Sequence, residues 1–318
     1  GTDWAYILPE VQECFVEIAR EIALRELLLI VTPEPENVET QIRDKVNMAN
    51  VRLIKCHTND TWARDHGAIT LVNGTSAYIL DFTFNGWGLK FASDRDNQIT
   101  RHLIKEGVLN GEYQNHLNFV LEGGGIESNG RGTLFTTSAC LLSPNRNAYL
   151  TKEEIEEYLK SAFHLQQVLW LDYGYLAGDD TDSHIDTLAR FCSPTSIAYV
   201  KCEDETDEHY TELKNMEEQL KSFRTLSGEP YRLWPLPMPY CIEEDGERLP
   251  ATYANFLIIN GAVLYPTYNQ PANDLQAKTV LQQAFPHKEI IGIDCRVLIK
   301  QHGSLHCVTM QYPQNVLK

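Results

Sequence analysis

Cys307 stands beside His306 in the stretch Gly303-Ser304-Leu305-His306-Cys307-Val308-Thr309-Met310-Gln311, just after a turn-forming glycine. A thiolate is a potent nucleophile, and an imidazole within reach can generate it. A lone cysteine is more often a small buried hydrophobe, so a catalytic reading needs partners elsewhere in the chain. His302 and His306 lie four apart, which on a helix is a zinc spacing. Gly303 and the Val308-Thr309 run disfavour a helix, however, and no Glu follows His302. A second imidazole lies in Gly178-Asp179-Asp180-Thr181-Asp182-Ser183-His184-Ile185-Asp186. On an extended segment His184 and Asp186 share a face, and an imidazole next to a carboxylate is a general acid/base unit. The aspartates around His184 also permit a metal, but the Gly and Glu positions of an EF-hand loop are missing.

Two further stretches carry chemistry. In Asn59-Asp60-Thr61-Trp62-Ala63-Arg64-Asp65 an acid and an aromatic ring at a strand entrance can hold a planar cation. Alone, that stretch reads more readily as a surface turn with a local Asp–Arg pair. In Leu121-Glu122-Gly123-Gly124-Gly125 the glycines let backbone approach a ligand. β-type residues follow them, with no Lys-Ser/Thr and no helix, so this is not a phosphate loop. Glu122 either faces the site or bonds within its own loop.

These stretches are far apart in the chain, and only a closed fold can gather them. Asn-Gly turns between apolar runs are the strongest short hairpin signal. They join 68–72 to 76–80, 126–128 to 132–137 and 256–259 to 263–265. Ser193-Pro194-Thr195 joins 189–192 to 197–200, and His302-Gly303 joins 296–299 to 305–310. Between them helical periodicity predicts helices over 10–28, 36–48, 94–107, 151–163, 208–223 and 273–285. Thr151 and Glu154 form a capping box. Apolar strands are predicted at 27–31, 51–55, 117–121, 167–171, 232–236 and 289–293. The Pro-rich stretch Trp234-Pro235-Leu236-Pro237-Met238-Pro239 and the charged 243–247 read as surface loop. Five hairpins and five helix-then-strand units make an internal repeat of roughly 50–65 residues. An α/β fold closed as a five-bladed propeller satisfies that count. A doubly wound sheet competes, but the hairpins argue against a purely parallel sheet.

The bulk properties set limits. The 318 residues are 43% hydrophobic and 22% charged, and the net charge is −17. That charge disfavours nucleic acid as a partner and suits a cationic one. No run approaches the ~18 apolar residues of a membrane span, so no membrane partner is expected. None of the eight cysteines forms a C-x-x-C pair. Thiols scattered through a long chain suit a reducing, cytoplasmic setting.

Taken together, Trp62-Ala63-Arg64-Asp65, Glu122-Gly123-Gly124-Gly125, Asn145-Arg146-Asn147, Asp180-Thr181-Asp182-Ser183-His184-Ile185-Asp186 and the stretch around Cys307 resemble the agmatine deiminase and bacterial-type peptidylarginine deiminase family. The likeness runs in order over nearly the whole chain. It implies one catalytic domain over 1–318, built as the five-bladed α/β propeller called the pentein fold. It implies Cys307 as nucleophile, His184 as acid/base, and Asp65 and Asp186 as the carboxylates that hold a guanidinium. The substrate-binding set on this reading is Trp62, Asp65, Glu122, Asp180, Asp186 and Gly303, with Asp180 and Asp182 facing a distal amine. The implied reaction is hydrolysis of agmatine to N-carbamoylputrescine and ammonia through a thiouronium on Cys307. It needs neither a metal nor an organic cofactor, and a homo-oligomer is compatible with it. The alternatives are peptidylarginine or free arginine as substrate, amidino transfer to an amine, and a guanidino-binding protein with little catalysis. Two positions depart from the family pattern: Ala63 replaces a Met, and Ser183 replaces a Gly. The family also implies a strand ahead of Thr2-Asp3-Trp4 that this sequence does not contain.

Overall fold

The structure is a computed structural model that describes residues 4–317. The additional strand implied ahead of Thr2-Asp3-Trp4 lies outside the described residues. Asn-Gly corners behave as expected. Strand Ile69–Asn73 pairs antiparallel with Ser76–Thr83 across a turn where Gly74 takes a φ of 59°, a conformation that costs glycine nothing. Helix Asp96–Lys105 follows, and Glu112–Val120 returns parallel to Ser76–Thr83. The same unit recurs three times. Ile126–Ser128, Thr133–Thr137 and Gln167–Leu171 form one sheet. Ala189–Ser193, Ser196–Lys201 and Arg232–Pro237 form another, and Leu257–Ile259, Ala262–Thr267 and Glu289–Asp294 a third. Leu28–Thr32 and Val51–Lys55, joined by helix Pro35–Ile42, make a two-stranded parallel sheet. These five units are the blades of an α/β propeller.

Packing explains the composition of each blade. The middle strand is covered on both faces, so Thr133–Thr137 is buried throughout and Ala262–Thr267 nearly so. The connecting helices present one apolar stripe inward. Lys152–Phe163 buries Ile155, Leu159 and Phe163, and Tyr210–Ser222 buries Leu213, Met216 and Leu220. The capping box is formed in both directions: Thr151 accepts from the Glu154 amide and Glu154 accepts from the Thr151 amide. No described helix is long and apolar enough to cross a membrane, and all eight cysteines are free thiols.

Three local expectations fail for physical reasons. The fifth hairpin, 296–299 with 305–310, is absent. Leu298–Gln301 is a 3-10 turn, and the backbone beyond it bonds to other blades instead of to a strand. The His306 amide donates to Asn255 Oδ1 and the Cys307 carbonyl accepts from the Arg64 amide. The Pro-rich stretch is not a surface loop. Trp234 to Pro237 belong to strand Arg232–Pro237, an edge strand, where proline's missing N–H breaks no ladder. Within 243–247, Glu243–Glu244 pairs with Glu247–Arg248 as a small hairpin.

Candidate active site

One kind of position supplies Asp65, Glu122, His184, Asp186 and Asn255: the segment that enters the first strand of a blade. Trp62 and the short helix Ala63–His66 precede Ile69–Asn73, and Glu122 with the 3-10 turn Gly123–Gly125 precedes Ile126–Ser128. His184 and the short helix Ile185–Leu188 precede Ala189–Ser193. Residues 251–256 precede Leu257–Ile259, and Cys307 lies in the segment that replaces the expected last hairpin. His184 and Asp186 are therefore on a tight turn and its helix, not on an extended strand. The turn is set by Asp179, which accepts from the Ser183 amide and the Thr181 hydroxyl, while the His184 amide donates to Thr181 Oγ1. Ser183 has a φ of 63°, the left-handed region that explains a glycine in its place elsewhere in the family pattern.

Asp65, His184, Asp186 and Cys307 converge and are all buried, with Cys307 the most open at 8% exposure. Asp65 accepts from Trp87 Nε1 at 3.0 Å and from the Gly124 amide at 2.9 Å. Its Oδ1 lies 3.6 Å from His184 Nδ1. Asp186 Oδ2 lies 2.7 Å from His306 Nδ1 and 3.9 Å from Cys307 Sγ, while its Oδ1 has no partner. Asn255 donates from Nδ2 to Cys307 Sγ at 3.3 Å. Gly124 sits at the centre. A Cβ there would fall 2.6 Å from His184 Nδ1, 2.7 Å from Asp65 Oδ1 and 3.3 Å from Asp186 Oδ2.

Burial controls the ionisation of this cluster. It holds the Cys307 thiol well above its ordinary range, with repulsion from Asp186 and Asp65 adding to the effect. Burial and the nearby Arg146 hold His184 well below an ordinary histidine. The Asp65 carboxyl is raised well above the usual range by burial and by Asp186, against the pull of its Trp87 and Gly124 donors. Asp186 is pushed up to about 7 by burial, in spite of Arg190 and Arg64. Thiol, imidazole and both carboxyls are thus all shifted toward their neutral forms.

The remaining sequence candidates are placed unevenly. Trp62 is buried and packs on Trp4, with ring centroids 5.9 Å apart. A Cβ on Gly303 would lie 2.3 Å from the Trp62 ring, so Gly303 is needed for close approach to it. Glu122 does not offer a free carboxylate. Both of its oxygens bond Arg146 Nε, at 2.8 and 3.1 Å, in a fully buried pair. Glu122, Cys140 and His184 do lie together, with one donor atom of each within 4.8 Å of the others, so Glu122 belongs behind the imidazole. Asp180 lies outside the buried cluster, and its carbonyl accepts from Lys90. Asp182 bonds Arg146 Nη1 at 2.6 Å and Lys90 Nζ at 3.3 Å. Sequence reasoning passed over Trp87, Arg190, Asn255 and the role of His306. Only Asn255 carried a usable signal, since it occupies the blade-entry position that the other stretches share.

The family model for Porphyromonas-type peptidyl-arginine deiminase matches residues 1–313. A protein from Porphyromonas gingivalis, provisionally assigned as an arginine deiminase, is 51% identical with a TM-score of 0.94 over 99% of this chain and 93% of its own. A C. jejuni agmatine deiminase variant with substrate bound is 42% identical, with a TM-score of 0.89 over 96% of this chain and 88% of its own. The agmatine deiminase of Ectopseudomonas mendocina is 32% identical over 329 aligned positions, which span 95% of this chain and 87% of that one.

Proposed function

Since the chain belongs to the Porphyromonas-type peptidyl-arginine deiminase family, we propose that it hydrolyses a guanidinium, and that its substrate is agmatine. The observation that carries this reading is the meeting of two buried carboxyl groups and an imidazole at one glycine, with the Cys307 thiol 3.9 Å from Asp186. A guanidinium is a planar cation with N–H groups on several edges. Asp65 and Asp186 receive those groups pairwise and fix the plane, with the central carbon beside Cys307.

The substrate's charge then answers the ionisation state of the free site. A bound cation lowers the cost of ionising both carboxyls and the thiol. The proton lost by the thiol is the one His184 must hold as imidazolium. Thiolate attacks the carbon and forms the C–S bond. His184 protonates one nitrogen of the tetrahedral adduct, the C–N bond breaks, and ammonia leaves. A thiouronium remains on Cys307. Neutral His184 then takes a proton from water as the water oxygen bonds to the same carbon. As the adduct collapses the C–S bond breaks, the hydroxyl proton is lost to solvent and ends on the released ammonia, the thiolate takes back the proton held by His184, and the ureido product leaves. The two steps sum to guanidinium plus water giving urea derivative plus ammonium.

Agmatine is supported by the agmatine deiminases among the relatives, one of them with substrate bound. It is also supported by the depth of the site, where no reactive side chain exceeds 8% exposure. Free arginine or a peptidyl-arginine is the second reading, favoured by the family description and by the P. gingivalis relative. Incubation with agmatine, arginine and an arginine-containing peptide separates them. Ammonia and N-carbamoylputrescine are expected from agmatine at the highest kcat/KM. No product from any of the three would leave a guanidino-binding protein.

The crowding at Gly124 gives a sharper test. Gly124→Ala places a methyl against His184, Asp65 and Asp186 at once. Turnover is expected to fall by roughly 10²-fold or more, since small displacements of positioned groups are that costly. The circular dichroism spectrum should be unchanged. Ordinary activity in this variant would show that the three side chains do not act together.

A further inference from the structure

His306 is the one buried imidazole near Cys307 to which the mechanism gives no task. Its Nε2 lies 3.0 Å from Arg190 Nη2. Arginine has only donors, so Nε2 carries the lone pair and Nδ1 carries the proton. That Nδ1–H faces Asp186 Oδ2 at 2.7 Å. The arrangement is held from outside. Arg190 donates from Nε to Glu127 Oε2 and from Nη1 to the Phe256 carbonyl, each at 2.7 Å. The His306 amide donates to Asn255 Oδ1 at 2.8 Å. Glu127, Arg190, His306 and Asp186 form one line that ends on the carboxylate.

We infer that His306 is a positioning residue: Arg190 fixes its tautomer, and its Nδ1–H donates to Asp186 Oδ2, which favours the ionised form of Asp186 and leaves Oδ1 for the guanidinium. This rests on the reading of Asp186 as a guanidinium ligand. It accounts for the fact that Asp186 Oδ1 is buried and unpartnered, an expensive condition unless a ligand completes it. A histidinium could not do this work, because it would set a cation against Arg190. Burial, Arg190 and Arg64 all oppose that form.

The sign of the effect on pH dependence follows. The charged groups facing Asp186 are Arg190, Arg64, Glu127 and Asp179, together with Asp65 and Cys307 across the site. None of them replaces the lost donor. A hydrogen bond to a carboxylate favours its ionised form, so His306→Ala raises the Asp186 pKa. The acid limb of kcat/KM moves to higher pH, and activity at neutral pH falls roughly tens- to a hundredfold. The deficit narrows as pH rises. Asparagine can place an amide N–H where Nδ1–H lies, so His306→Asn is expected to restore most of the activity and the original limb.

The experiment is the pH profile of ammonia release for the unaltered protein, His306→Ala and His306→Asn. Beside it runs a measurement that needs no turnover, selective ¹⁵N-histidine NMR of the unaltered protein, with the His306 signal assigned by its loss in His306→Asn. The expected NMR result is a neutral Nδ1–H tautomer that persists across the active pH range. An imidazolium or an Nε2–H tautomer overturns the inference whatever the substrate proves to be. An alanine variant whose loss is equal at every pH, or an asparagine variant no better than alanine, also overturns it. An unaltered protein inactive on every guanidino substrate would fault the functional reading instead, and the NMR result would still decide the tautomer.

Discussion

A Cys307→Ser variant is expected to release ammonia from agmatine at no more than roughly 10⁻⁴ of the unaltered rate, the scale on which loss of a covalent nucleophile is felt. The surroundings of Cys307 make serine a poor substitute. The thiol is already held well above its ordinary range by burial and by Asp186 and Asp65, and a hydroxyl there ionises still less. Asn255 offers a donor to the sulfur but no base. The carboxylates are untouched, so affinity for agmatine should stay within a few-fold. An ammonia assay and equilibrium binding on one preparation check both halves. Turnover within tenfold of the unaltered protein would remove Cys307 from the reaction.

Replacing His184 by alanine is expected to lower kcat by roughly 10³-fold, within the range attributed to a positioned acid/base group. In the proposed scheme both halves of the reaction use the imidazole, first to protonate the departing nitrogen and then to deprotonate water. Its Nδ1 lies 3.6 Å from Asp65 Oδ1, and its Nε2 is buried without a partner. Mass spectrometry of quenched samples locates the block. If the first proton transfer is limiting, Cys307 carries no adduct. An accumulated thiouronium would instead put the main demand on the water step. Wild-type turnover with no imidazole at position 184 would exclude it as the acid/base.

Local patterns were legible in the sequence because their causes are local. Strands Val51–Lys55 and Gln167–Leu171 fall where the apolar runs put them, and helix Lys152–Phe163 starts at the Thr151–Glu154 box. Cys307, His184, Asp65 and Asp186 do converge, and the motifs around Asp65, Glu122 and His184 are blade entries that help to bring them together. What could not be read depends on partners elsewhere. The expected last hairpin fails because Asn255, 51 residues from His306, takes its amide. Trp87 reaches Asp65 only because Gly86, Trp87, Gly88 and Leu89 all take positive φ, a left-handed turn that no propensity predicts for tryptophan. Whether Glu122 faces the site or bonds within its own loop is not legible locally, because its partner Arg146 lies 24 residues on. The task of His306 is not legible beside the thiol, because its contacts with Arg190 and Asp186, 116 and 120 residues away, exist only in the closed ring.

The blade-entry origin of the site has a consequence for folding. Each sheet can form from a short length of chain, but the site needs Asp186 and Cys307 to meet across 121 residues and Arg64 to bond the Cys307 carbonyl. Such long-range closures come late and set the pace of folding in β-rich chains. Recovered activity therefore reports the joining of the last blade to the first, whereas far-ultraviolet signal reports the blades themselves. During renaturation the spectrum should return before the catalysis does.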